Sequence, residues 1–207
     1  MLAATLAPAC AACHAPLDAP SRSCICPVCL GSIVPAVLPP WTSAEITRAI
    51  AGGRYEGALR DVIHAFKYEG RRSLARPLAA LMRDAGDEVL AGCDAVVPVP
   101  LHPWRRLQRG FNQARDLASR LDRPVLDALW RVHATSSQMR LSAEARQRNV
   151  QGAFRLSPWP AGDVRLHHAC IVLVDDVRTT GATLNACARV LISAGAAEVR
   201  ALTLAAA

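Results

Sequence analysis

Lysine is almost absent from this sequence: of 24 basic residues, 23 are arginine and one, Lys67, is lysine. The bias looks compositional, and the exception stands out because a compact ammonium and a flat guanidinium fork do different work. Aromatic residues make up only 4%. That scarcity excludes extensive stacking on nucleic-acid bases, so any nucleic-acid binding is expected to be mainly electrostatic. No apolar run approaches the roughly 20 residues that span a bilayer. The opening stretch MLAATLAPACAAC has no basic segment, so no secretory signal is expected. The expected location is the cytoplasm, where thiols stay reduced, and the eight cysteines are therefore not read as disulfides. Internal repeats and low-complexity tracts are also missing.

What is present describes a globular chain. With 207 residues, 52% apolar and 20% charged, there is enough sequence for one full domain with a small addition. The net charge is +7, and residues 99–150 carry ten arginines against four acids, an excess of +6. Such a segment suits phosphate-rich partners, either small ligands or nucleic acid. A solvated arginine-rich face would give the same count.

Five of the eight cysteines fall in the first 29 residues. Cys10 and Cys13 form one CxxC pair, Cys26 and Cys29 another, with 12 residues between the pairs. A CxxC turn aims two sulfurs at one point, and two turns complete a tetrahedron. The spacing therefore predicts a structural Zn2+ site. A segment this short cannot bury a core of its own, and zinc supplies about 10 kcal/mol or more to the folding of such a module. Cys24 is an alternative to Cys26, although Cys26 fits the spacing better. His14 is read as solvated. Pro35, Pro39 and Pro40 mark a linker, which divides the chain into a module with its linker at 1–40 and a main domain at 41–207.

In the main domain, Leu59, Val62, Ile63 and Phe66 have the spacing of an amphipathic helix, stopped by Gly70. A second helix passes through Leu78, Leu81 and Met82, starting near Pro77. The stretch 94–100 reads as a short buried strand breaking into a loop. A helix at 113–121 follows, capped by Asn112 after a turn shaped by Gly110. Residues 170–174 read as an apolar strand. Leu184, Cys187, Ala188, Leu191 and Ile192 form a helix stripe closed by Gly195, and 199–204 is the returning strand. Phe66, Phe111 and Phe154 are expected in the core. Strand, helix and strand within about 35 residues make a βαβ unit and hence a parallel sheet flanked by helices, a Rossmann-like α/β fold. Ligands in such sheets bind at the carboxyl ends of the strands.

The sequence VLVDDVRTTGATL at 172–184 has that position. Its apolar run ends in Asp175 and Asp176, followed by Thr179, Thr180, Gly181, Ala182 and Thr183 at a predicted helix start. Free N–H groups and the helix dipole favour a phosphate there, and Gly181 lets the backbone approach closely. The carboxylates are acceptors beside it. A ribose 5-phosphate satisfies both features, its phosphate on the turn and its two hydroxyls on the carboxylates. Fixed negative charge would also stabilise the positive charge that develops on a ribose ring losing a leaving group at C1. The bland alternative is an aspartate pair capping the helix.

The apolar strand, DDVxTTGAT and helix resemble the 5-phosphoribosyl-1-pyrophosphate (PRPP) motif of type I phosphoribosyltransferases. More narrowly, the chain resembles the ComF family, phosphoribosyltransferase-like proteins linked to natural transformation in bacteria. The resemblance rests on the cysteine pairs, FKYEG at 66–70, PVPLHPWRRLQRGFNQA at 98–114, QMRLSAEARQRNVQGAF at 138–154 and the strand–turn–helix motif, in that order. It implies that Asp175 and Asp176 bind the ribose diol and that Thr179, Thr180, Gly181, Ala182 and Thr183 cradle the 5-phosphate. It also implies a pyrophosphate loop at 98–101, including Pro100 and Leu101, with Arg105, Arg106, Arg109 and Asn112 close behind, and a flexible catalytic loop at 138–149 whose phosphate contact is Arg146. Mg2+ would accompany PRPP.

Lys67 is expected to reach a phosphate or the acceptor site, the alternative being chance. Arg105, Arg106 and Arg109 are equally readable as a solvated face, and His102 as a bystander. Three functions follow: an enzyme transferring ribose 5-phosphate to an unidentified acceptor, a protein handling single-stranded DNA, and a PRPP sensor without turnover. DNA-uptake or helicase proteins are partners implied by the resemblance alone.

Overall fold

The computed structural model of the chain describes residues 8–20, 23–36, 41–132, 152–158 and 166–207, with the side chains at 105, 106 and 108 outside that set. Four strands form a parallel sheet: β1 (Arg48–Arg54), β2 (Ala95–Pro98), β5 (Cys170–Arg178) and β6 (Glu198–Ala206). Their order across the sheet is β1-β6-β5-β2. Between the second and fifth strands in chain order, β3 (Leu129–Arg131) and β4 (Phe154–Leu156) form a separate antiparallel pair. Helices α1 (Pro27–Gly31), α2 (Gly57–Tyr68), α3 (Ala75–Leu90), α4 (Pro103–Arg109), α5 (Gln113–Ala118) and α6 (Ala182–Ser193) complete the described elements.

Period-two alternation sorts the sheet into two cores. Val96, Val172, Val174, Leu202 and Leu204 belong to one cluster, with Leu59, Ile63 and Phe66 of α2 and Leu78 and Met82 of α3. Ala95, Val97, Ile171, Leu173, Val199 and Ala201 belong to the other, with Leu184, Cys187, Ala188 and Leu191 of α6. Helices thus cover both faces of the parallel sheet, which is why β5 reads as a continuous apolar run. The three core phenylalanines and most of the predicted helix stripes are buried, but Ile192 of the last helix is 40% exposed and Leu81 is only half-buried.

Several boundaries differ from those expected. The helix α3 begins at Ala75, after a 3-10 turn at Arg72–Leu74, so Pro77 lies inside its first turn instead of starting it. The strand predicted at 94–100 is shorter, Ala95–Pro98, and the helix predicted at 113–121 ends at Ala118. β5 does not stop at Val174 but continues to Arg178, because the backbone ladder with β6 persists, Asp175 opposite Thr203 and Arg178 opposite Ala206. β1 gave no clear strand signal, since Gly52 and Gly53 lack strand propensity. Both are demanded by close packing: a Cβ on Gly53 would lie 2.6 Å from Leu59 Cδ2, and one on Gly52 3.0 Å from the Leu204 carbonyl oxygen. No helix among the described residues is long and apolar enough to cross a membrane.

Candidate functional site

The alternation that builds the two cores continues into the aspartates. Asp176 follows Val172 and Val174 onto the face where α2 packs, and Asp175 follows Ile171 and Leu173 onto the α6 face. On the α2 side, Lys67 in the last turn of the helix brings Nζ to 2.7 Å from Asp176 Oδ1, with both side chains only 14% exposed. Burial alone would lower the Lys67 pKa, but the charge and hydrogen bond of Asp176 outweigh it and raise it above the usual lysine value. Lys67 is therefore held charged beside the carboxylates.

Asp175 is in a different state. Burial, with the Asp176 charge next to it, pushes its carboxyl up to about 7. The Asp176 N–H donates to Asp175 Oδ1 at 2.8 Å, and the charges of Lys67 and Arg131 act in the same, lowering direction without cancelling the burial cost. Two adjacent carboxylates thus sit in different surroundings: Asp176 has an ammonium partner, and the Asp175 carboxyl is desolvated beside the Asp176 charge.

The turn after β5 leads into α6, and Gly181 is its N-cap, in the left-handed region at φ 75°. No side chain caps this helix, although the Ala182 N–H reaches Thr180 Oγ1 at 3.4 Å. Thr179 and Thr180 are exposed, and Ala182 and Thr183 are partly so. Trp41 closes one side of the turn: a Cβ on Gly181 would lie 2.6 Å from its ring. The Arg178 guanidinium sits 5.5 Å from the Trp41 ring centroid. Ser43 Oγ then donates to Asn185 Oδ1 at 2.7 Å, which fastens 41–43 to the first turn of α6. Sequence reasoning missed Trp41; its only signal was its place as the first large residue after the proline linker.

On the other side of β5, Pro98 ends β2, and Pro100 is buried while Leu101 is partly exposed. Asn112 caps α5 through the Ala114 N–H at 3.0 Å, as expected, and its amide also donates to the Val99 carbonyl at 3.1 Å. One residue thereby links the loop after β2 to the helix behind it. Arg109 reaches Tyr68, with its guanidinium 4.9 Å from the ring centroid, and so lies beside the end of α2 that carries Lys67. His102 accepts from the Trp104 N–H at 3.2 Å, a helix-start role that needs no chemistry. The side chains of Arg105 and Arg106, and all of Arg146 with the loop 138–149, lie outside the described residues.

Three arginines of the expected basic segment are engaged within the fold. Arg115 pairs with Asp127 at 2.9 Å, Arg120 donates to the Asp116 carbonyl at 2.6 Å, and Arg123 to the Leu90 carbonyl at 3.2 Å. The two carbonyl bonds hold their guanidinium groups in place without neutralising them, and the side chains of Arg105, Arg106, Arg140, Arg146 and Arg148 lie outside the described residues.

The four predicted cysteines do converge: the sulfurs of Cys10, Cys13, Cys26 and Cys29 lie within 4.8 Å of one another. Cys13 and Cys26 Sγ are 3.8 Å apart, and a tetrahedron of Zn–S bonds near 2.3 Å calls for about that separation. Burial would raise the Cys10 thiol, but backbone N–H groups, first that of Cys26, bring it down to about 6. The Cys29 N–H points at Cys26 Sγ at 3.4 Å. Donors aimed at sulfur favour thiolates, so the donor set fits a structural zinc ion. Cys24 is not part of the cluster; its thiol donates to Ser73 Oγ at 3.2 Å. The module is not separate from the main core, since Cys10, Ala11, Ile25 and Cys29 pack in the same cluster as α2 and α3. Arg71 also donates to the Ala9 carbonyl at 3.4 Å.

A resident Mg2+ fits less well. Among the described residues the only group of three or more metal-binding side chains is the four cysteines, and one oxygen of Asp176 is already taken by Lys67.

Residues 107–207 match the family described as "Phosphoribosyl transferase domain", which covers β5, the threonine turn and α6. "Competence protein F" of Haemophilus influenzae is 36% identical over 158 residues, 72% of this chain and 68% of that one. "DNA utilization protein YhgH" of Escherichia coli is 34% identical over 175 residues, 78% and 71% of the two chains. "Competence protein ComFC" of Bacillus subtilis is 32% identical over 155 residues, 72% of this chain and 60% of its own length. Among solved structures, an orotate phosphoribosyltransferase from Aeropyrum pernix overlays at a TM-score of 0.39 with 19% identity, across 86% of this chain and 89% of that one, too loose a match to add to these relatives. The chain belongs to the ComF family, and it joins a type I phosphoribosyltransferase-like α/β domain to an N-terminal four-cysteine module of zinc-ribbon type.

Proposed function

We propose that the chain binds PRPP at the carboxyl end of β5, transfers its ribose 5-phosphate to an acceptor nucleophile, and serves DNA uptake, as the names of its relatives suggest. The observation that carries this reading is the pairing of two features on one strand end. Asp175 and Asp176 sit next to a helix start whose N-cap is a positive-φ glycine with no side-chain cap. The 5-phosphate takes the N–H groups and hydroxyls of Thr179, Thr180, Gly181, Ala182 and Thr183. The ribose hydroxyls donate to Asp175 and Asp176. The backbone at Pro100 and Leu101, with Arg105, Arg109 and Arg146, receives the diphosphate, and Mg2+ arrives as its counter-ion.

In the transfer, the bond from C1 to the diphosphate oxygen breaks and the diphosphate leaves with the electron pair. The acceptor forms the new bond to C1 and gives its proton to solvent. The ionised carboxylate of Asp176 faces the positive charge that builds on the ring, which stabilises the transition state more than the ground state.

A thermal unfolding series with Mg2+ and rising PRPP tests the site. At about 100 times its dissociation constant a ligand adds roughly 2.7 kcal/mol, on the order of 5 °C or more for a chain of this size. Asp176→Asn should lose that increment, whatever its own baseline. No increment in the wild type would sink the reading. Diphosphate release with candidate acceptors then separates an enzyme from a sensor.

The second reading, a non-catalytic protein handling single-stranded DNA, is favoured by α4: Trp104 is 69% exposed and Leu107 78% exposed beside its arginines. That reading predicts affinity for single-stranded DNA that falls steeply with salt, and a flat salt response counts against it.

A further inference from the structure

Lys67 is the only lysine, and it spends its charge on one oxygen of Asp176. Its position is not free to drift. Leu59, Val62, Ile63 and Phe66 bury the apolar face of α2 completely, which fixes the backbone from which the side chain extends. The contact is itself largely shielded from water, so it is screened less than a surface pair. Two kinds of ligand compete for such a carboxylate. A hard divalent cation requires about six oxygens in near-octahedral geometry and prefers oxygens that carry full negative charge. A sugar hydroxyl needs only one free acceptor lone pair. An ammonium against Oδ1 repels the cation and leaves Oδ2 open to the hydroxyl. Asp175 adds little to a metal site, because its Oδ1 already accepts from the Asp176 N–H and the Lys67 and Arg131 charges that act on it oppose a further cation.

We infer that Lys67 is a specificity-determining residue that makes Asp176 an acceptor for sugar hydroxyls and bars it from acting as a ligand for a free divalent cation. The cation therefore comes to this site only on the diphosphate of the substrate. The inference rests on the ribose reading of the site for the identity of the hydroxyls, but not for the exclusion of metal. It also accounts for the retention of lysine in an arginine-rich chain. A guanidinium presents two parallel donors and engages both oxygens of a carboxylate. Arginine at 67 would leave neither oxygen of Asp176 for a hydroxyl.

Mn2+ is the probe, followed by loss of its free-ion paramagnetic resonance signal in the presence of full-length, zinc-loaded protein. Wild type without PRPP should take up no Mn2+ that Asp176→Asn abolishes. Lys67→Met, with Lys67→Gln as the variant that keeps a polar tip if the first does not fold, should bind one Mn2+ per chain at least ten-fold more tightly than wild type. Adding Asp176→Asn to it should remove that site. Lys67→Arg should still exclude Mn2+ while weakening PRPP binding about ten-fold or more. Uptake by wild type that depends on Asp176, or a folded Lys67→Met or Lys67→Gln protein that gains no site, overturns the inference. The two failures are separable. If Mn2+ behaves as stated but PRPP never raises the thermal midpoint of wild type, the ribose reading falls and the metal exclusion stands. If PRPP binds while free wild type also holds Mn2+ at Asp176, the reverse holds.

Discussion

The four sulfurs of the N-terminal module come from two short stretches, 10–13 and 26–29, and lie within 4.8 Å of one another. The carboxylate site draws Lys67 from α2, Asp176 from β5, Gly181 from the start of α6 and Trp41 from the edge of the linker. The first arrangement is made by local turns and needs only a metal ion to close it. The second exists only when two layers of helix have packed on opposite faces of the sheet. One consequence is the kind of charge each can hold. The module gathers four thiols whose thiolate forms call for a dication, whereas the carboxylate site carries its own cation in Lys67.

The largest expected effect attacks the local arrangement. Cys26→Ser removes one of four ligands, and metal affinity is the module's folding energy. Zinc content should fall to near zero and the thermal midpoint should drop by about 10 °C or more, because the module shares its core with α2 and α3. A midpoint unchanged after full loss of zinc would show that the two regions are energetically independent.

Next comes the assembled site. Gly181→Ala places a Cβ at 2.6 Å from the Trp41 ring on a backbone at φ 75°. It should cost about 2 kcal/mol or more by chemical denaturation. Trp41→Ala should recover the steric part of that cost in the double variant and leave the backbone part. Full additivity of the two changes would mean that the ring and the turn do not press on each other.

A smaller and pH-dependent effect separates the two aspartates. Asp175 has its folded pKa raised from 3.8 to about 7 by burial and by Asp176, against the opposing charges of Lys67 and Arg131. The folded state therefore holds its proton more tightly than the unfolded one. The stability this gives is full below about pH 4 and is lost as pH rises through about 7. Asp175→Asn should flatten that part of the stability profile, with its gain over wild type appearing above neutrality. A profile of unchanged slope would show that Asp175 is ionised in the folded protein.

The smallest effect is expected at Cys24, which touches Ser73 and lies outside the thiol cluster. Cys24→Ser should retain full zinc content and change stability by no more than about 0.5 kcal/mol.

What could be read in advance follows the same division. Cysteine spacing marked the four ligands, because a CxxC turn carries its geometry with it. The VLVDDVRTTGATL stretch marked the strand, the turn and the helix, because apolar runs, paired carboxylates and a glycine at a helix start are local signals. Lys67 was singled out by its rarity, but its contact with Asp176 spans more than a hundred residues and has no local signature. The arginines of 99–150 could be counted in advance, but the partners of Arg115 and Arg123, Asp127 and the Leu90 carbonyl, are set by tertiary packing and have no local signature. β1 was missed because its two glycines, required by contact with Leu59 and Leu204, erase the propensity that marks a strand.

The apolar cluster common to the cysteine module and α2 also bears on how this protein can be handled. A fragment beginning at Trp41 would bare the side of Leu59, Phe66 and Leu74 now covered in company with Cys10, Ala11 and Ile25. A newly exposed patch of that kind drives self-association. The main domain is therefore best prepared, crystallised and assayed with the first forty residues in place and with zinc in every buffer.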